Sequence, residues 1–319
     1  MSFGEMIQKF CPGESPVLSV DCSPDSRLLA IGQIFGNDGS PTLSLWNLES
    51  GTLDFSIEES QDSENSVYKV IFNKNGNNLI YVLQYGEDFL LILYLLDKRE
   101  KFIIKKAQYI EELLGHNFNL ANELLIIPAA ENGLEFWSLE PPKMVENVKI
   151  QEKLIPIYSD AFIAPCFSPD GKYLALGGMK EGAIFIYDTE NYKLIQELNA
   201  SFSFPGQILF DNHSRLVIAI DFWQKGVFVW DVKSGERYLE DDFDEHVLKV
   251  SCSAISPNNK YLAFGYNTGR IVLFDIGNGE RLFSDKLHDA RTYNICFTPD
   301  GNNLISAGED WQIIVRSMV

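Results

Sequence analysis

Phe167-Ser168-Pro169-Asp170-Gly171-Lys172-Tyr173-Leu174-Ala175-Leu176-Gly177-Gly178, followed after a polar gap by Ala183-Ile184-Phe185-Ile186-Tyr187-Asp188, decides the fold of this chain. Pro169 presets φ for a turn and Gly171 accepts φ > 0, so the chain should reverse before Tyr173. An apolar strand follows, then a second turn, then an apolar run that closes on an aromatic-Asp pair.

The stretch recurs along the whole sequence. The Phe167 position returns as Cys22, Phe72, Phe118, Phe210, Ile255 and Phe297. The closing pair returns as Trp46-Asn47, Leu96-Asp97, Trp137-Ser138, Trp230-Asp231, Phe274-Asp275 and, most weakly, Arg316-Ser317. Both markers occur seven times at spacings of 41 to 50 residues. Each unit carries three or four short apolar runs separated by Gly, Asn and Asp, as a four-stranded antiparallel sheet requires. Such a sheet cannot bury both faces alone, but units packed side by side cover one another.

In repeat number and length the chain resembles the WD-repeat β-propeller family over essentially its full length, with Phe228-Val229-Trp230-Asp231-Val232-Lys233-Ser234-Gly235-Glu236 as the nearest match to that family's pattern. The resemblance implies an all-β, seven-bladed propeller spanning residues 1–319 as one domain. The last repeat stops after its third strand, and Gly4-Glu5-Met6-Ile7-Gln8-Lys9-Phe10 reads like the fourth strand Gly235-Glu236-Arg237-Tyr238-Leu239. Residues 4–10 are therefore expected to complete the last blade and close the ring, as in a complete chain.

The formal charge of −19 argues against a nucleic-acid surface, which needs a basic stripe, and equally against anionic lipid. No run approaches the roughly 18 apolar residues of a membrane helix. Five cysteines without Cys-x-x-Cys spacing read as free thiols in a reducing cytoplasm. No cofactor or metal site is expected: the four histidines are scattered, and the run Asp241-Asp242-Phe243-Asp244-Glu245 lacks the glycine of a calcium loop.

His288, Ser306 and Asp310 are the residue types of a hydrolytic triad. The resemblance implies a different role. In the WD-repeat pattern a His before the first strand, a Ser or Thr in the second and an Asp in the next turn form a structural network with the Trp of the third. His246 and His288 each stand nine residues before the Phe167-type position, at Ile255 and Phe297. Arg316 replaces the Trp, and Thr268 replaces the Asp in the sixth repeat. No catalytic residue is assigned.

Trp223 and Trp311 fall in turns between second and third strands. Each either packs on a neighbouring blade or offers an aromatic contact to a partner. With Phe243 and the acidic run Glu240, Asp241, Asp242, Asp244 and Glu245, they are the candidate partner-binding residues. The resemblance implies a non-enzymatic scaffold that binds a protein or peptide, and the acidity adds a basic segment to that partner. The alternatives are a hydrolase or lactonase working in the central channel, and a subunit of an assembly whose catalytic chain is separate.

Overall fold

The computed structural model describes residues 5–35, 42–57, 65–108, 118–119, 124–129, 133–139, 142–149, 166–178, 182–199, 205–221, 226–241 and 249–318. They form 28 strands in seven antiparallel four-stranded sheets. The first sheet is β2–β5 (Val17–Cys22, Leu28–Gln33, Leu43–Asn47, Thr52–Ile57) and the second is β6–β9 (Ser66–Phe72, Asn78–Tyr85, Asp88–Leu95, Glu100–Ala107). The third is β10–β13 (Phe118–Asn119, Leu124–Ala129, Gly133–Leu139, Pro142–Lys149). The fourth is β14–β17 (Cys166–Phe167, Tyr173–Gly178, Ala183–Asp188, Leu194–Asn199), and the fifth is β18–β21 (Pro205–Phe210, Leu216–Asp221, Gly226–Asp231, Arg237–Asp241). The sixth is β22–β25 (Val250–Ile255, Tyr261–Tyr266, Arg270–Asp275, Arg281–Lys286). The seventh joins β26–β28 (Thr292–Phe297, Asn303–Gly308, Ile313–Ser317) to the N-terminal strand β1 (Met6–Phe10).

Two local devices repeat, and they explain the sequence period. In the first, a hydroxyl ends the inner strand and bonds the turn that follows. Ser168 Oγ donates to Asp170 Oδ1 at 2.7 Å and accepts the Tyr173 N–H at 2.9 Å. Ser23, Ser256 and Thr298 repeat both bonds. Gly171 at φ 73° and Ser26 at φ 60° reverse the chain in the left-handed region. In the second device, the acid after the aromatic residue caps the next turn. Asp188 Oδ1 accepts the N–H groups of Glu190 and Asn191, and Asp231 those of Lys233 and Ser234.

The register confirms all seven Phe167-type positions, which pair with Leu174, Leu29, Leu79, Leu125, Val217, Leu262 and Leu304. One marker needs correction. In the second sheet the closing pair is Tyr94-Leu95, not Leu96-Asp97: Leu95 pairs with Asn78, as Asn47 pairs with Leu28. The Arg99 N–H returns to Leu95 O just as the Gly51 N–H returns to Asn47 O. A leucine has taken the acid's place, and the nearest aspartate in sequence lies two residues too late.

The chain divides into two compact units, residues 1–108 with 250–319, and residues 109–249. In the first unit the sixth, seventh, first and second sheets pack in that order. Cys252, Leu273, Ile295 and Phe297 fill the sixth–seventh joint, and Val17, Leu29, Ile305 and Ile313 the seventh–first. Leu45, Val67, Leu79 and Ile92 fill the first–second joint. In the second unit Phe136 packs with Phe167 and Phe185, and Ile186 with Phe228 and Trp230. Gly265 lets the sixth and seventh sheets approach, since a Cβ there would stand 2.7 Å from Thr292 Cγ2. β1 pairs antiparallel with β28, Gln8 opposite Val315 and Phe10 opposite Ile313, and Phe10 stacks on Trp46 of the first sheet at 5.1 Å. The N-terminal strand thus completes the last sheet.

Candidate functional site

The chemistry-bearing side chains of the first unit gather at one end of its sheets, where second strands turn into third strands. In the seventh sheet, buried His288 bonds Ser306 Oγ through Nε2 at 2.8 Å and Asp310 Oδ1 through Nδ1 at 2.9 Å. Asp310 also accepts the N–H groups of Asp289 and Gln312. Burial works against the Asp310 charge, but the bonds from His288 and the two N–H groups hold its carboxyl below the usual carboxylate range. Ser306 is 2% exposed and His288 1%, so the hydroxyl has no open side from which a substrate carbonyl could approach. The arrangement can orient a turn.

Arg316, at the position of the missing Trp, lays its guanidinium over the Phe283 ring of the sixth sheet at 4.8 Å. In the sixth sheet Thr268 stands where Asp310 stands in the seventh, and its Oγ1 is buried without a hydrogen-bond partner. His246 lies outside the described residues. So do Trp223, Asp242, Phe243, Asp244 and Glu245. For Glu240 and Asp241 the described backbone is the end of β21, opposite Phe228 and Val227.

Trp311 is the described member of the aromatic pair, and its placement is unusual. It is 44% exposed, and its φ is +66°. Gly182 and Gly269 occupy the same step of the turn in the fourth and sixth sheets, at φ +60° and +81°. A side chain in the left-handed region costs roughly 1–2 kcal/mol, and bulky residues seldom adopt it. Phe35, in the loop after β3, and Tyr85, at the end of β7, are exposed at the same end of the first and second sheets. Neither was singled out as a contact from sequence. Phe35 sits in a visibly long loop, and Tyr85 precedes a Gly turn, so both carried a signal. Exposed Glu87, Asp289 and Glu309 share this end with Arg291, whose guanidinium lies over Tyr293 at 5.2 Å.

Asp21 was also missed, although a lone acid inside Val17–Cys22 was visible. It accepts the Phe72 N–H of the second sheet at 2.7 Å. Burial pushes its carboxyl up to about 7, against that N–H, the Cys22 N–H and the charge of Lys69. Among the described residues no His/Cys/Asp/Glu group could hold a metal ion. No described helix is long and apolar enough to cross a membrane.

The family model of the WD domain, G-beta repeat, matches residues 279–317, which include His288, Ser306 and Asp310. The β-propeller domain of Cps50 (Swd1) from Myceliophteria thermophila superposes with a TM-score of 0.76 over 98% of this chain and 99% of that one, at 14% identity. The chain folds as a seven-bladed β-propeller, and residues 279–317 carry a WD repeat. Two curated relatives are WD repeat-containing protein 91 of Bos taurus, 25% identical over 57% of this chain and 26% of that protein, and apoptotic protease-activating factor 1 of Mus musculus, 24% identical over 90% of this chain and 22% of that protein. The chain thus spans about a quarter of the length of these relatives. WD-repeat propellers are typically protein-interaction scaffolds and generally non-catalytic.

Proposed function

We propose that this propeller is a non-enzymatic interaction module that binds a protein or peptide at the turn end carrying Trp311, Tyr85 and Phe35. The observation that carries the reading is Trp311 itself. A bulky, exposed side chain occupies a left-handed position that sibling turns give to glycine, so folding alone does not account for it. Tryptophan is enriched among the residues that dominate binding energy. The partner's basic segment is part of the proposal, motivated by the charge of −19 and the exposed Glu87, Asp289 and Glu309. Charge of this kind mainly sets encounter rate and salt dependence. Trp223, Phe243 and the acidic run from Glu240 to Glu245 stay candidate contacts on sequence grounds alone. The buried His288–Ser306–Asp310 group is assigned a structural role. The absence of a disulfide among the described cysteines accords with a reducing compartment, and cytoplasmic placement belongs to the same proposal.

The test is affinity capture on the intact chain, followed by titration of the captured protein against wild type and Trp311→Gly. Glycine suits the backbone, so the variant should keep its fold and bind at least ~10-fold more weakly. Equal affinity would put the interface elsewhere. A captured catalytic chain would identify the propeller as its subunit, and fractionation of cells tests the compartment.

A further inference from the structure

Two of the five cysteines lie against one another across the joint between the first and last blades. Cys22 ends β2 and Cys296 lies in β26; 274 positions apart in sequence, their Sγ atoms are 3.9 Å apart. The thiols do not have to hold this joint themselves. Val17, Leu29, Ile305 and Ile313 pack across it, and the Asp300 N–H donates to Ser26 Oγ at 3.1 Å. The two sulfurs therefore sit on surfaces fixed by other contacts, and a disulfide needs them to close by only about 2 Å. Their environments differ in a useful way: Cys22 is buried and Cys296 is half-buried.

We propose that Cys22 and Cys296 are a reversible oxidation site, converted by a hydroperoxide into a disulfide that fastens the first blade to the last. The half-exposed Cys296, as thiolate, attacks the outer oxygen of the peroxide. The O–O bond breaks, the alkoxide or hydroxide fragment leaves and takes up the thiol's proton, and Cys296 becomes a sulfenic acid, oxidised by two electrons. Cys22, as thiolate, then attacks the Cys296 sulfur. The S–S bond forms, the S–O bond breaks, and the departing hydroxide combines with the proton that Cys22 released. In sum, two thiols and one hydroperoxide give a disulfide, an alcohol (or water) and a water. A dithiol reductant reverses the change by exchange.

The order of events follows from the surroundings. The hydrogen bond to Cys296, and then burial, push the Cys22 thiol well above its ordinary range, and the more accessible Cys296 is the thiol that meets the peroxide first. Cys252 is the third thiol nearby. It is buried, its Sγ donates to Thr292 O at 3.7 Å, and burial pushes it up to about 12. The bond would tie the first blade to the seventh, which holds both the N-terminal strand β1 and the C-terminal strand β28. A disulfide enclosing so long a loop restricts the unfolded chain more than a short-range one does.

The experiment uses the intact chain with exposed Cys11 changed to Ser, treated with hydrogen peroxide, alkylated, digested and read by mass spectrometry. We expect a Cys22–Cys296 cross-linked peptide pair and a Tm higher by about 5 °C, reversed by dithiothreitol. Cys296→Ser, at the half-buried position, should fold and show neither change. If Cys22→Ser fails to fold, Cys22→Ala provides the second control. Overoxidation of Cys296 without a cross-link, a Cys252–Cys296 pair, or a cross-link that leaves Tm unchanged would each overturn the proposal.

Discussion

The second blade holds its strands together with apolar side chains: Leu79, Tyr81, Leu83, Leu91 and Leu93 are all within about 1% of complete burial. Its second, third and fourth strands have eight residues each, against five or six for the strands of the seventh. The seventh blade is shorter and adds the buried polar group of His288, Ser306 and Asp310. One sheet gains contact area from length, and the other fixes the geometry of its turn through directional bonds. The polar group is thus an elaboration of the repeat, and the repeat does not depend on it. Removing one member of a buried polar group leaves the others short of partners.

The seventh blade is most vulnerable where it borrows a strand from the far end of the chain. Deleting residues 1–10 removes β1, leaves the edge of β28 open and takes Phe10 off Trp46. We expect a loss of ~3–5 kcal/mol, with aggregation through the exposed edge. Thermal melting with light scattering checks this; an unchanged Tm in a monomer would show that the strand is dispensable. A pair of substitutions then weighs the two blades directly. Leu83→Ala in the second should cost ~2–5 kcal/mol through the cavity. His288→Ala in the seventh should cost ~1–3 kcal/mol by leaving buried Ser306 Oγ without its His288 partner and taking one bond from Asp310. Denaturant titrations give both values. His288→Asn, which retains polar atoms near the same site, should recover part of the second loss.

The same contrast shows what was legible in the sequence. Seven Phe167-type positions and the strand exchanged between the chain ends could be read because turn chemistry forces the spacing. The bonds of Ser168 and Asp170 and the angle of Gly171 admit few residue types: Thr298 repeats the hydroxyl, Asn258 the acceptor and Ser26 the angle. The second blade's closing pair was misplaced because apolar packing imposes no residue identity, so Leu95 gave no marker. The His288 group was visible for the opposite reason, since directional bonds demand particular residues at particular spacings. Phe35, Tyr85 and Asp21 were not assigned, because exposure at a turn and burial of an acid depend on neighbouring blades.

Asp21 in the first blade and Asp310 in the seventh respond to pH with opposite sign. Asp21 has a folded-state value of about 7 against 3.8 in the unfolded chain. Between these values the unfolded state loses its proton first, so stability falls as pH rises from about 4 towards 7. Asp310 is held below 3.8; its contribution is present above that value and is lost as pH falls through its folded one. Asp21→Asn keeps an oxygen for the Phe72 N–H but cannot ionise. Near pH ~8 it should be more stable than wild type by about 2 kcal/mol, after discounting for the partial exposure of Asp21, with no gain near pH ~4. Melting curves at both pH values decide it: an equal gain at each would remove the ionisation argument.

The smallest expected effect concerns Trp311, and here its sign matters more than its size. If the residue were kept for packing, Trp311→Gly would cost a buried aromatic, ~3 kcal/mol or more. The side chain is 44% exposed, so much of that burial is absent from the start. Glycine at φ +66° relieves a strain of roughly 1–2 kcal/mol and adds back about 1 kcal/mol of unfolded-state freedom. The two nearly cancel, and the variant should melt within a few degrees of wild type or slightly above it. Gly182 and Gly269 at the same step show that this turn accepts glycine. Trp311→Ala separates the contributions: it loses the ring while keeping the strained backbone, so it should be less stable than Trp311→Gly. If alanine instead proves the more stable of the two, the backbone at 311 is not strained, and the tryptophan needs no partner to explain it.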